Sequence, residues 1–157
     1  MIDRFRPRRR ETHPIDTEAE LRRFVSTRAS FVAQKTLYGY LRTRIGTRYP
    51  EVFSEPDFAR SIDIAKLHVY AACLSDLSVH AVARALSDPR IPDESRRALA
   101  TDCLRTGLDD NAGSFVEGFS PEDAQRAHQA RLAVVDWTRA GSGRESFGTS
   151  PAALVRW

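Results

Sequence analysis

Cys73, Asp76 and His80 stand at i, i+3 and i+7 in a stretch free of Gly and Pro, so a helix there brings all three to one face. A carboxylate one turn from an imidazole can orient the ring and raise its basicity, as a general base and its orienting partner require. Cys73, Ser75 and Ser78 supply the nucleophile types, and the chemistry they suggest is ester hydrolysis with His80 as base and Asp76 as orienter. Geometry weighs against it. Ser75 and Ser78 point away from the His80 face, and Cys73 lies about 10 Å from His80 along the helix axis, beyond hydrogen-bond reach. No glycine-rich turn offers paired backbone donors for an oxyanion. The same three residues also fit a helix crossing a bundle with its polar groups bonded, and the spacing favours that plainer reading.

Other chemistry finds less support. Asp109-Asp110-Asn111-Ala112-Gly113 has the acidity of a calcium loop, but positions six and twelve are Ser114 and Ser120 instead of Gly and Glu. The chain has no phosphate-binding glycine loop, dinucleotide fingerprint or zinc-ligand quartet, so neither metal nor cofactor is implied. His68 and His128 stand isolated. Cys73 and Cys103 match no paired spacing, which predicts reduced thiols and a cytoplasmic setting. No run approaches the 18 apolar residues of a membrane span, and no secretory apolar region follows the N-terminus.

The elements that must position these groups read as helices. Thr17 with Glu20 forms a capping box, and the next stretch holds no Pro and only Gly39 before Gly46. Within it Phe24, Phe31, Tyr38 and Ile45 recur every seven residues, predicting a helix of about 45 Å that packs lengthwise on another. A second helix is expected from about Pro56 to Leu86. Phe58, Ile62, Ala65, Val69 and Ala72 lie on one side and Leu67, Leu74, Ala81 and Ala85 on the other, so it is central. Asp93 is read as capping a third helix to about Leu108, then a loop over 109–120. Ser120-Pro121-Glu122-Asp123 starts a fourth helix running to about Arg139. The predicted fold is all-α: an antiparallel four-helix bundle over 16–140 with 17–46 and 55–87 as its long central hairpin. A flexible basic arm (1–15) precedes it, and a mobile tail (141–157) with a short terminal helix follows.

Charge divides the chain unevenly. Residues 1–50 hold 12 basic and 5 acidic side chains, and residues 51–157 hold 12 and 16. A basic front predicts an anionic partner or a head-to-tail contact. The arm's Arg4, Arg6, Arg8, Arg9 and Arg10 suit salt-sensitive, sequence-independent binding to nucleic acid or another polyanion. On the first helix, Phe24, Phe31, Leu37, Tyr38 and Tyr40 are the candidate protein-binding residues. Self-association through the heptad face is a related expectation. Tyr38, Tyr40, Arg42, Arg44, Arg48 and Tyr49 interleave aromatic and basic groups, which suits base stacking, though an amphipathic helix with snorkelling arginines is favoured.

The stretch Lys35-Thr36-Leu37-Tyr38-Gly39-Tyr40-Leu41-Arg42-Thr43-Arg44, with Ile64-Ala65-Lys66 and Ala72-Cys73-Leu74-Ser75-Asp76-Leu77, resembles an uncharacterised family of small helical bacterial proteins loosely labelled esterase. The resemblance spans about residues 20–85 and implies a small helical protein, with no catalytic motif to carry over. The sequence therefore predicts a non-catalytic interaction protein that binds a protein partner. A hydrolase using the Asp76/His80 pair is the first alternative, and polyanion binding through the arm is the second.

Overall fold

The computed structural model describes residues 14–48, 51–52 and 54–156, and among them every helix-length element is α-helical and no strand occurs. Among the described residues six helices of four residues or more follow in order: α1 (Glu18–Ile45), α2 (Pro56–Ala85), α3 (Asp93–Asp110), α4 (Pro121–Leu132), α5 (Trp137–Ala140) and α6 (Thr149–Arg156). Short 3-10 turns occupy Gly46–Arg48 and Ala112–Ser114. The basic arm, with Arg4, Arg6, Arg8, Arg9 and Arg10, lies outside the described residues.

The first helix starts where its capping box places it. Thr17 Oγ1 accepts the Glu20 amide at 3.2 Å, and the Glu20 carboxylate accepts the Thr17 amide at 3.0 Å. It ends at Gly46, whose φ of 63° suits glycine. The buried stripe of α1 is not the heptad of aromatics. It is Leu21, Val25, Ala29, Ala33, Leu37 and Leu41, four residues apart, with Ser26 beside it. A step of four advances about 40° round a helix, so this stripe winds across the surface. Its first half joins the main core with residues of α2 and α3, and Leu37 and Leu41 join a second cluster with Ile62. Phe31 and Tyr38, expected to pack inward, are 57% and 38% exposed, and Phe24 is half-buried.

Helix α2 is the central element. Sixteen of its residues are buried, from Ile62 to Ala83 and on all sides, as its apolar pattern requires. The corner after it is held by one side chain. Arg96, 7% exposed, donates to the carbonyls of Leu86, Asp88 and Ile91 and to the Asp93 carboxylate. These bonds tie the end of α2 at Leu86 to the loop carbonyls that follow it. Asp93 is thus an acceptor for Arg96, and Pro92, not Asp93, occupies the cap position of α3.

Beyond this corner the structure departs from the four-helix expectation. Helix α3 runs two residues past Leu108, into the segment read as a loop. The helix predicted to reach Arg139 breaks after Leu132. Arg97 Nε donates to the Leu132 carbonyl, and Asp136 accepts the Thr138 amide to cap the separate α5. Ser120 caps α4 as predicted, accepting the Asp123 amide at 3.1 Å. The chain beyond 140 is not a loose tail: Ser146 is fully buried, and α6 packs on α2.

Candidate functional site

Helix α2 turns its Cys73–His80 segment towards α4, α5 and α6. Asp76 is fully buried, and four donors meet its carboxylate. Oδ1 accepts from Arg131 Nη1 at 2.6 Å and from the Thr149 amide at 3.2 Å. Oδ2 accepts from the Ser150 amide and hydroxyl, both at 2.7 Å. The carboxylate thereby caps α6 and neutralises Arg131, whose other guanidinium nitrogen donates to the Ser146 carbonyl. His80 turns elsewhere. Its Nδ1 lies 3.4 Å from the Ala140 carbonyl, and its ring packs against Phe147 at 5.3 Å between centroids. The Asp–His pairing expected from their spacing is replaced by these separate contacts. Sharing a helix face did not bring the two groups together, because closer donors from α4 and α6 take the carboxylate.

Cys73 is also unsuited to attack. Burial pushes its thiol up to about 11, with the Asp76 charge adding to the effect, so the thiolate is scarce at neutral pH. Ser78 donates to the Leu74 carbonyl at 2.6 Å and is fully buried.

Ser75 has a partner that its position in α2 did not reveal. Its hydroxyl lies 2.8 Å from His128 Nδ1 and accepts from Arg131 Nη1 at 3.0 Å. His128 Nε2 sits 3.2 Å from the Ala100 carbonyl. A carbonyl only accepts, so Nε2 carries the ring proton and Nδ1 accepts a hydrogen bond from the Ser75 hydroxyl. Burial pushes the imidazole down to about 4, against the Ala100 bond and with help from Arg131, so His128 is neutral at physiological pH. Ser75, His128 and Arg131 border a cleft of about 540 Å³, with Phe119 and small residues such as Ala71 and Ala127 on its other walls. His128 and Arg131 lie more than 50 positions from Ser75 in the chain, and no local spacing signals their meeting.

The outer surface of α1 forms the other notable constellation. Phe24, Arg28, Phe31, Lys35, Tyr38 and Arg42 alternate at steps of four and three, within about 80° of arc. The Arg28 guanidinium lies 5.7 Å from the Phe24 ring centre and Lys35 Nζ 5.9 Å from that of Phe31, within cation–π range. Arg28, Phe31, Lys35, Tyr38 and Arg42 are all exposed. Arg28 and Lys35 were legible beside the aromatic heptad, four positions after each Phe. Tyr40 belongs to a different side of the helix, half-buried beneath Arg44 at 5.6 Å. Leu37, proposed to face a partner, is 1% exposed and belongs to the core.

No described helix is long and apolar enough to cross a membrane. No family model, curated protein or solved structure matches the chain.

Proposed function

We propose that this is a non-catalytic helical interaction protein of the cytoplasm, with α1 and α2 as the antiparallel hairpin of a bundle and the outer face of α1 as the partner-binding surface. One observation carries the reading. Two of the four aromatic side chains of α1, Phe31 and Tyr38, stand on the exposed side, while the stripe facing the core contains Ala29 and Ala33. Large apolar groups aligned outward along one helix are the form that helix-to-partner docking takes. The cluster around Asp76 supports the non-catalytic part, because its acceptors are occupied within the fold. A photo-crosslinking amino acid in place of Phe31, introduced in the native cell, tests the surface against the same group in place of Arg105 on α3. Cross-linked partners are expected from position 31 and not from position 105. Equal yields, or none from position 31, would remove the α1 surface from consideration.

The hydrolase alternative moves to a second reading, Ser75 with His128, because a hydroxyl 2.8 Å from an imidazole at a cleft is the contact a nucleophile and its base require. Two features oppose it. An imidazole held near 4 is a poor base at neutral pH, and the Thr149 and Ser150 amides already bond Asp76. Labelling by a fluorophosphonate that disappears in Ser75→Ala would favour it. Absence of labelling in the folded protein would end it.

A further inference from the structure

We propose that the partner docked on α1 is an acidic amphipathic helix, its apolar residues seated between Phe24, Phe31 and Tyr38 and its carboxylates on Arg28, Lys35 and Arg42. This rests on the reading of α1 as the docking surface and adds the chemistry of what docks there.

The argument is one of pattern and charge. Aromatic and basic side chains alternate along one narrow arc of α1 for about five turns, from position 24 to position 42. A helix laid along this arc would meet an apolar group and a cation at every second turn. The complementary pattern is an apolar residue every seventh position with Asp or Glu three or four positions away. Between positions 22 and 48, α1 and its following turn carry seven basic side chains and no acidic one. Arg28 and Lys35 are held over the Phe24 and Phe31 rings by cation–π contact, so they arrive with their positions already restricted.

The other occupants fit less well. A second copy joined through the same face would set Arg28, Lys35 and Arg42 against their own kind, and like charges in juxtaposition are costly. The chain's own first 13 residues carry five arginines against Asp3 and Glu11, so they too share the sign of the face. A nucleic-acid strand would satisfy the cations, but it does not call for a heptad period in the aromatic residues. The period selects a helix, and the charge selects an acidic one.

The test is selection of peptides from a random displayed library on the purified full chain, with counter-selection on Phe31→Ser/Lys35→Glu. The substituted residues are exposed, and circular dichroism with a thermal melt checks that the variant is folded. Enriched peptides should combine apolar residues at heptad spacing with Asp or Glu between them. Their affinity should fall with added salt, and on the order of tenfold in Arg28→Glu/Lys35→Glu. Enriched peptides that need Phe31 but lack acidic residues would overturn the acidic-partner inference and leave the docking surface standing. Peptides that bind both proteins equally, or no enrichment, would overturn both. So would a dimer in light scattering that Lys35→Glu disrupts, or a single-stranded oligonucleotide that outcompetes the selected peptides on this face, because the occupant would then be a second copy or nucleic acid.

Discussion

Replacing Asp76 by Ala removes a fully buried carboxylate and leaves four donors facing an empty space: Arg131 Nη1, the Thr149 and Ser150 amides, and the Ser150 hydroxyl. Each bond to a charged group is worth about 1.5–3 kcal/mol, but the sum overstates the loss, because Arg131 keeps its bonds to Ser75 and Ser146 and the exposed end of α6 can reach water. Breaking one partner of a buried ion pair costs about 3–5 kcal/mol. For a chain of 157 residues each kcal/mol corresponds to about 2–4 °C in melting temperature, so Asp76→Ala should melt about 6–20 °C lower than the wild type. Removing both charges should hurt less than the two single losses together, since Arg131→Met alone strands the carboxylate and Asp76→Ala alone strands the guanidinium. Chemical denaturation of wild type, both single variants and Asp76→Ala/Arg131→Met closes this cycle. Hydrogen exchange on Asp76→Ala should show early loss of protection in Thr149–Arg156. A loss below about 1 kcal/mol, or strict additivity across the cycle, would refute the view that Asp76 ties α2 to α4 and α6.

Three further outcomes follow from buried groups. His128 is neutral in the fold down to about 4 while its ordinary value is 6.5, so the unfolded chain binds the extra proton first and stability falls as pH drops through that window. The full loss is about 3 kcal/mol, and denaturant melts between pH 7 and 4 should show it, with the slope reduced in His128→Gln. Gly107→Ala would set its Cβ 2.6 Å from both terminal carbons of the fully buried Leu74 and 3.0 Å from the Tyr70 hydroxyl. A destabilisation of about 1–3 kcal/mol is expected from overpacking, despite the better helix propensity of Ala, and a melt at or above the wild-type temperature would contradict it. Burial pushes the Cys73 and Cys103 thiols up to about 11 and about 12, so a thiol reagent at pH 8 should modify neither in the folded protein and both in denaturant.

The helical class and the main boundaries were legible because their signals are local. Thr17 with Glu20, Gly46, Pro56 and Ser120-Pro121 each act within one turn of the residue that starts or stops a helix. The break after Leu132 also had a local sign, Asp136 before Trp137 and Thr138, but the apolar pattern of Leu132, Val135 and Trp137 outweighed it. The docking of the chain beyond 140 had none, since it depends on Ser146, Thr149 and Ser150 meeting Arg131 and Asp76 across the fold. The candidate site followed the same division. Placing Cys73, Asp76 and His80 near one another along α2 was sound, but hydrogen bonds are set by what other helices bring, and those brought Arg131, His128 and Ser150.

The period of α1 carried a different lesson. Phe24, Phe31, Tyr38 and Ile45 dominate the sequence of α1 by size, and their heptad period points to a core. Close approach between helices instead selects small residues, and the core-facing stripe of α1 holds Ala29 and Ala33 at its middle. A stripe stepping by four turns steadily away from one stepping by seven, so the two patterns need not share a face, and midway along α1 they lie on opposite sides. Packing within the chain takes up the first stripe and the two ends of the second, Phe24 and Ile45, and leaves Phe31 and Tyr38 exposed. On the proposed reading of α1, the exposed Phe31 and Tyr38, each with a cation four residues later, are what an external helix would read.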